Sequence, residues 1–301
     1  MAASIRIVLL GSHGLLGSAV RQCLAKRDWV VLTALGRAEL NLANPQQFER
    51  VLAALEFDVL VNCAACTAVD DCEIQGDLAY LVNGRAPGML ARIAARQGAR
   101  MVQFSTDYVF DGSKGTPYTE EDPPNPLSVY GKSKLMGEQL VLEAAPRHLV
   151  VRLSWLFGMG RPAFPDWIIS KALQQDRVEI VSDKSGSPTC SRDAAEALLP
   201  WMENPDLPGG VVHFCNPPAC SWAEYGQAVL DAATATGIPL QTREITPISI
   251  ASLAGLTAPR PPHSAMSIAK YQRLTGRTAR PWREALREYV AERHGTATPL
   301  H

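Results

Sequence analysis

The sequence predicts an α/β protein built on a doubly wound parallel sheet, with a smaller unit on its C-terminal side. Three observations predict it. Short runs of Ile, Val and Leu alternate with helix-like segments through the first half; the first run leads at once into Gly11-Ser12-His13-Gly14-Leu15-Leu16-Gly17; and past residue 157 the alternation gives way to irregular segments. Strands that are continuously apolar are buried on both faces, which marks a parallel sheet covered by crossover helices. Right-handed crossovers then wind the helices onto both sides.

The elements follow in order. Residues 5–10 form a short apolar strand, 15–25 a helix, 29–35 a second strand, 45–55 a second helix and 58–62 a third strand. Residues 90–96 lie within another helix, 100–105 form a fourth strand, and a helical pattern runs from Tyr130 through Leu135, Leu140 and Leu142. Residues 148–157 read as one further strand, 163–174 and 192–202 as helices, and 210–215 as a strand. Residues 221–236 form a helix capped by Ser221, 257–262 are a proline-rich loop, and 281–293 form a helix with Pro281 in its first turn. The sequence shows no internal repeat or low-complexity tract. It divides into a dinucleotide-binding unit over 1–157, completed by about 190–217, and a substrate-binding unit from 158–189 and 218–301.

Composition narrows the function classes. With 301 residues, 47% hydrophobic and 20% charged, the chain has material for a large core and a small one. A net charge of -1 gives no basis for bulk nucleic-acid binding, which needs concentrated positive charge. Met1-Ala2-Ala3-Ser4 runs straight into a strand without the basic and long apolar regions of a signal peptide. No apolar run is long enough to suggest a membrane span. Seven cysteines, an odd number, point to reduced thiols and a cytoplasmic setting.

The glycine loop has the context that a dinucleotide site needs, between a strand and a helix. Gly11 permits the tight turn, Gly14 lets the backbone approach a pyrophosphate, and Gly17 lets helix and strand pack closely. The helix N-terminus adds amide donors and a favourable dipole. The alternative is an ordinary glycine-rich turn. The second strand ends at Leu35-Gly36-Arg37 with no carboxylate until Glu39, so Arg37 points to the 2′-phosphate of NADPH, with NADH as the other cofactor to consider. The alternative for Arg37 is a solvated surface position.

Tyr130 and Lys134 are four apart and share one helical face. A tyrosine titrates near 10, and a neighbouring ammonium lowers that value, so Tyr130 is placed to protonate a carbonyl oxygen as hydride reaches its carbon. Alone, the pair is equally a helical Tyr beside a solvated Lys. Between the loop and the pair lies Phe104-Ser105-Thr106-Asp107, at a strand end of the kind that lines the ligand crevice. Ser105 or Thr106 can donate to a developing alkoxide, or these residues cap a local turn.

With these residues in place, the sequence resembles the extended short-chain dehydrogenases, and within them the dTDP-4-dehydrorhamnose reductase branch. The resemblance extends through Val61-Asn62-Cys63-Ala64-Ala65-Cys66-Thr67-Ala68-Val69-Asp70, Val82-Asn83, Pro117-Tyr118-Thr119-Glu120, Arg152-Leu153-Ser154-Trp155-Leu156-Phe157-Gly158, Gly186-Ser187-Pro188-Thr189 and Pro259-Arg260-Pro261-Pro262-His263-Ser264. It implies a Rossmann-type fold and an NADPH-dependent oxidoreductase that reduces the C4 ketone of a nucleotide-linked deoxysugar, supplying dTDP-L-rhamnose. Tyr130 would be the acid, Lys134 its partner and ribose ligand, and Thr106 the third catalytic hydroxyl. Cofactor contacts would come from Gly11, His13, Gly14, Leu15, Leu16 and Gly17, from Arg37, Asn41 and Leu42, and from Cys63, Ala64, Ala65 and Ser105 beside Tyr130 and Lys134. Asn62 would border the cofactor and Asn83 support the site. The substrate would meet Thr106, Asp107, Val69, Trp155, Arg260 and Ser264.

Two positions depart from the branch: Cys66 stands where tyrosine is usual, and Asn41 replaces an aspartate. The acidic residues that the branch's magnesium-linked dimers use are not placed in this sequence, so no metal is expected, and the chain is expected as a monomer or homodimer. The Cys63-x-x-Cys66 pair has no second cysteine pair to complete a zinc site and reads as small buried thiols. His213 reads as a satisfied core histidine and Glu120-Glu121-Asp122 as a solvated loop. Two rival functions remain: another deoxysugar ketoreductase of a natural-product pathway, and a non-catalytic NADP-binding regulatory subunit resembling the methionine adenosyltransferase β-subunit.

Overall fold

The computed structural model describes residues 4–253 and 255–295; Met1 to Ala3, read above as lacking a leader's features, lie outside them. The alternation holds through β1 (Ile5–Leu10), α1 (Leu15–Leu24), β2 (Val30–Leu35), α2 (Pro45–Ala53) and β3 (Val59–Asn62). Next come α3 (Val69–Ile74), α4 (Gly76–Ala79), a π-helical segment (Tyr80–Arg85), α5 (Ala86–Arg96), β4 (Arg100–Thr106) and α6 (Val129–Ala144). Then follow β5 (Leu149–Leu153), β6 (Leu156–Phe157), α7 (Phe164–Ala172), β7 (Val178–Val181), β8 (Ser185–Gly186), β9 (Thr189–Cys190), α8 (Ser191–Glu196) and α9 (Leu199–Glu203). The chain closes with β10 (Gly210–His213), β11 (Cys220–Ser221), α10 (Trp222–Ala235), β12 (Ile245–Ile248), α11 (Ala269–Thr275) and α12 (Trp282–His294).

Six strands form one parallel sheet in the order β10-β5-β4-β3-β1-β2. Because side chains alternate along a strand, Ile7 and Leu9 enter one core with Val20 and Leu24 of α1, while Val8 and Leu10 enter the other with Phe48, Leu52 and Leu90. The strand order reverses at β1, which takes β2 on one side and β3 on the other. That reversal opens a crevice at the carboxyl ends of the strands, where Gly11, Cys63 and Thr106 all lie. A third core, off the sheet, gathers Phe157, Ile168, Ile180, Val229, Trp282 and Leu286 from β6, α7, β7, α10 and α12. There β7 pairs with β12, β8 with β11, and β6 with β9.

The structure corrects several readings. The strand expected over 148–157 breaks in two, because Trp155 sits at φ 43 and Ser154 donates its hydroxyl to the Ser187 carbonyl at 2.5 Å, turning the chain off the sheet. The helix expected over 192–202 divides at the turn before α9, whose first turn holds Pro200. Pro281 is the N-cap of α12 rather than a residue of its first turn. Ser221 caps α10 as expected, in a reciprocal capping box with Glu224.

One polar cluster sits deep in the sheet half. Arg152 and Glu138, each only 3% exposed, form a two-pronged pair at 2.6 and 2.9 Å, with Arg152 stacked over Phe110. His213 is buried beside them; its Nε2 lies 3.3 Å from Arg152, but Nδ1 has no partner, so it is only half satisfied. Burial, reinforced by Arg152, draws its pKa down to about 3, so it is neutral. Removing one member of a buried pair strands the other charge. R152M should therefore lose about 3–5 kcal/mol of stability in urea unfolding, and E138L/R152M should recover most of that loss.

Candidate active site

The glycine loop is built on close backbone approaches. A methyl group on Gly17 would collide with the Gly11 carbonyl, and one on Gly11, at φ 70, would meet the backbone of Ala64. Gly14 is the N-cap of α1 and offers no capping side chain, and the first turn holds no acid, so the amides of Leu15 and Leu16 are open to an anion. Ser12 and Ser105 carry buried hydroxyls without a protein partner. An anionic dinucleotide fits this cradle: free amides at a helix end, glycines where a Cβ would intrude, and two unpaired hydroxyls.

The rest of the expected cofactor surface is distributed along the same crevice. His13 lies over Gly36, and Arg37 is exposed at the end of β2. Glu39 turns back to accept from the Gly36 amide at 2.8 Å. Asn41 closes a local turn onto the Ala43 amide at 3.0 Å, and the Leu42 side chain is buried in the core. On the opposite wall, Asn62 accepts from the Ala64 amide at 3.1 Å and donates to Gln103 at 2.8 Å. Cys63 and Cys66 are separate free thiols, pushed up in pKa by burial, which favours the small-thiol reading over a redox pair.

Helix α6 brings the reacting side chains to the crevice. Ser128 caps it through the Gly131 amide at 3.1 Å. Gly131 lets the helix lie against the Tyr108 carbonyl, and Gly137 lets it lie against the Asn83 carbonyl. Asn83, on the π-helical segment, bonds both the amide and the carbonyl of Cys66 at 2.9 Å and donates to Ser133 at 3.1 Å. Asn83 thus ties α6 to the loop after β3.

Tyr130 is buried edge-on against Tyr108, with ring centroids 5.6 Å apart, beside Val69 and Cys72. Burial pushes its hydroxyl well above the ordinary range; Thr106 opposes that shift and Asp107 adds to it. The expectation that Lys134 draws Tyr130 down is therefore corrected: burial wins, and Thr106 is the opposing group. Lys134 instead donates to the Phe104 carbonyl at 2.6 Å, and burial draws it down to about 8. Of the two jobs weighed for it, Thr106 shows the turn cap. It caps the turn through the Tyr108 amide at 3.1 Å, and its hydroxyl meets Asp107 at 3.1 Å.

The expected substrate residues form three groups. Asp107 and Ser264 are buried and bound to each other at 2.5 Å. Arg260 pairs with Asp70 at 2.7 Å, and Asp70 also accepts from the Thr257 and Ala258 amides, which fixes the 257–264 segment to α3. Trp155 leans on Gly186, with its ring 5.9 Å from Trp222. Its left-handed backbone is strain of the kind held at functional sites. Sequence reasoning missed the roles of Asp70, Tyr108, Trp222 and Lys184. Asp70 closes a quoted motif, but a buried lysine at 184 has no local signal, since lysine is exposed by default. Among the described residues there is no cluster of three metal-ligating side chains and no helix long and apolar enough to cross a membrane.

Residues 5–294 match the family model described as the RmlD substrate binding domain. The dTDP-4-dehydrorhamnose reductase of Mycobacterium tuberculosis is 38% identical over 297 residues, covering 96% of this chain and 93% of its own. A Streptomyces antibioticus protein described as a probable dTDP-4,6-dihydroxy-2-methyloxan-3-one 4-ketoreductase is 34% identical, covering 94% of each chain. The crystal structure of the Bacillus anthracis dTDP-4-dehydrorhamnose reductase in complex with NADP superposes with a TM-score of 0.88 at 29% identity, over 96% of this chain and 99% of that one.

The buried ammonium of Lys134 has a measurable consequence. Its pKa is lowered from 10.5 to about 8, so between those values the unfolded chain binds the extra proton and stability rises with pH. K134M lacks that slope. At about 1.4 kcal/mol per pH unit, the wild type should gain at most on the order of 3 kcal/mol on K134M between pH 8 and 10.5, read from paired urea titrations.

Proposed function

We propose, from the premise that the chain belongs to the RmlD substrate binding domain family, that it reduces the C4 ketone of dTDP-4-dehydro-L-rhamnose to dTDP-L-rhamnose with NADPH. The observation that carries the reading is Tyr130 held beside Thr106 on a helix whose Lys134 faces the same crevice as the glycine loop. The glycine loop, Arg37, the Asn41–Leu42 turn, the 63–65 backbone and Ser105 hold the dinucleotide, and when bound it supplies the hydride. The sheet half holds the cofactor, and the units at 158–189 and 218–301 hold the sugar. The protein works in the cytoplasm as a monomer or homodimer, on a nucleotide-sugar rather than a nucleic acid or a membrane.

The proton chemistry follows from burial. A high pKa keeps Tyr130 protonated at every working pH, so it is always charged with the proton it must give. The proton passes to the C4 oxygen as hydride reaches C4, so a free alkoxide does not accumulate. The Thr106 hydroxyl, donated to Asp107 in the resting crevice, turns to the phenolate left behind, with the Lys134 ammonium on the same helical face. Val69, Trp155 and Arg260 line the sugar side, while Asp107 and Ser264 act through Thr106 and the 257–264 segment.

The identity to the Streptomyces antibioticus protein favours, as a second reading, a different 4-keto deoxysugar with the same chemistry. NADPH oxidation separates the two when dTDP-4-dehydro-L-rhamnose is run beside other 4-keto sugars and the product is identified. Turnover to dTDP-L-rhamnose supports the first reading, and turnover of another sugar alone overturns it. Y130F should lower kcat by roughly 100- to 10,000-fold with NADPH affinity unchanged. Wild-type kcat in Y130F would overturn the role of Tyr130, whereas a wild type that binds NADPH but turns over no ketosugar would leave a regulatory, non-catalytic protein.

A further inference from the structure

Lys184 is completely buried, yet it stands outside every group discussed above as catalytic. It precedes β8 and enters the seam between the two halves of the molecule. Its Nζ donates to the Pro261 carbonyl at 2.5 Å and lies 5.2 Å from the ring centre of Tyr108 and 5.5 Å from that of Trp222. Tyr108 is the ring against Tyr130, and Trp222 is the ring beside Trp155. The 257–264 segment, whose carbonyl it holds, carries Arg260 and Ser264. Asp70 holds the Thr257 and Ala258 amides and the Arg260 guanidinium, and Lys184 holds the Pro261 carbonyl beside the backbone bonds of Ser185 to Pro262 and Ser264.

We propose that Lys184 is a positioning residue for the sugar nucleotide: its bond to the Pro261 carbonyl holds the 257–264 strap so that Arg260 faces the pocket. The inference rests on the proposed reduction for its substrate. Burial draws the Lys184 ammonium down to about 8 while Asp107 opposes the shift, so the cation sits in the same buried network as the Asp107–Ser264 pair. Aromatic faces on two sides compensate part of the desolvation of the ammonium.

K184M removes the donor, and K184Q keeps one on a shorter side chain. Losing a hydrogen bond from a charged group corresponds to roughly a tenfold or greater change. In K184M, KM for the sugar nucleotide and the dissociation constant for dTDP should rise at least tenfold, and by more than kcat falls, while NADPH affinity stays within threefold. The Ala258 and Ser264 amides should exchange with deuterium faster, as the strap loosens. K184Q should restore KM and exchange to within threefold of wild type. Wild-type KM and exchange in K184M, or a K184Q as impaired as K184M, would overturn the inference. If the wild type reduces no ketosugar, the proposed reaction fails, and exchange at the strap in the two variants still decides the role of the pin.

Discussion

Everything at the crevice depends on how closely α6 can lie against the end of β4. Two glycines make the approach: Gly131 under the Tyr108 carbonyl and Gly137 against the Asn83 carbonyl. The Lys134 ammonium then reaches the Phe104 carbonyl, which bolts the helix to the strand. Only in that seating do Tyr130 and Thr106 meet. A side chain larger than hydrogen at either glycine would push the helix away and separate them, whatever the chemistry of the residues themselves.

The seating places buried charge under strain, and the molecule compensates locally. Lys134 and Lys184 are both drawn down to about 8 by burial, and Asp107 is pushed up by it. Each has specific partners: carbonyls for the lysines, and the Thr106 and Ser264 hydroxyls for Asp107. The contacts run continuously from Tyr130 through Tyr108, Lys184 and Trp222 to Trp155. The sheet half and the smaller half therefore meet through polarised, desolvated groups, and an arrangement of that kind favours one relative placement over neighbouring ones.

Much of this was legible in the sequence, for identifiable reasons. The strands of the sheet are continuous apolar runs, and the glycine loop has a fixed place between β1 and α1, so local pattern suffices for both. Tyr130 and Lys134 share a helical face, and spacing alone reveals that. What escaped depends on contacts distant in sequence. The break at Trp155 comes from a hydroxyl bond to Ser187, the short strands β7 and β12 pair across 67 residues, and the Asp70–Arg260 clamp spans 190. The direction of the Tyr130 shift follows from depth of burial, which a sequence does not show.

The central claim is that this crevice delivers hydride to a sugar ketone while Tyr130 delivers the proton. Its most direct test is mass spectrometry of the sugar nucleotide formed from dTDP-4-dehydro-L-rhamnose and NADPH carrying deuterium at both nicotinamide C4 positions. The account predicts one deuterium at C4 of the sugar in dTDP-L-rhamnose. Product without deuterium, or no product while NADPH remains tightly bound, would contradict it.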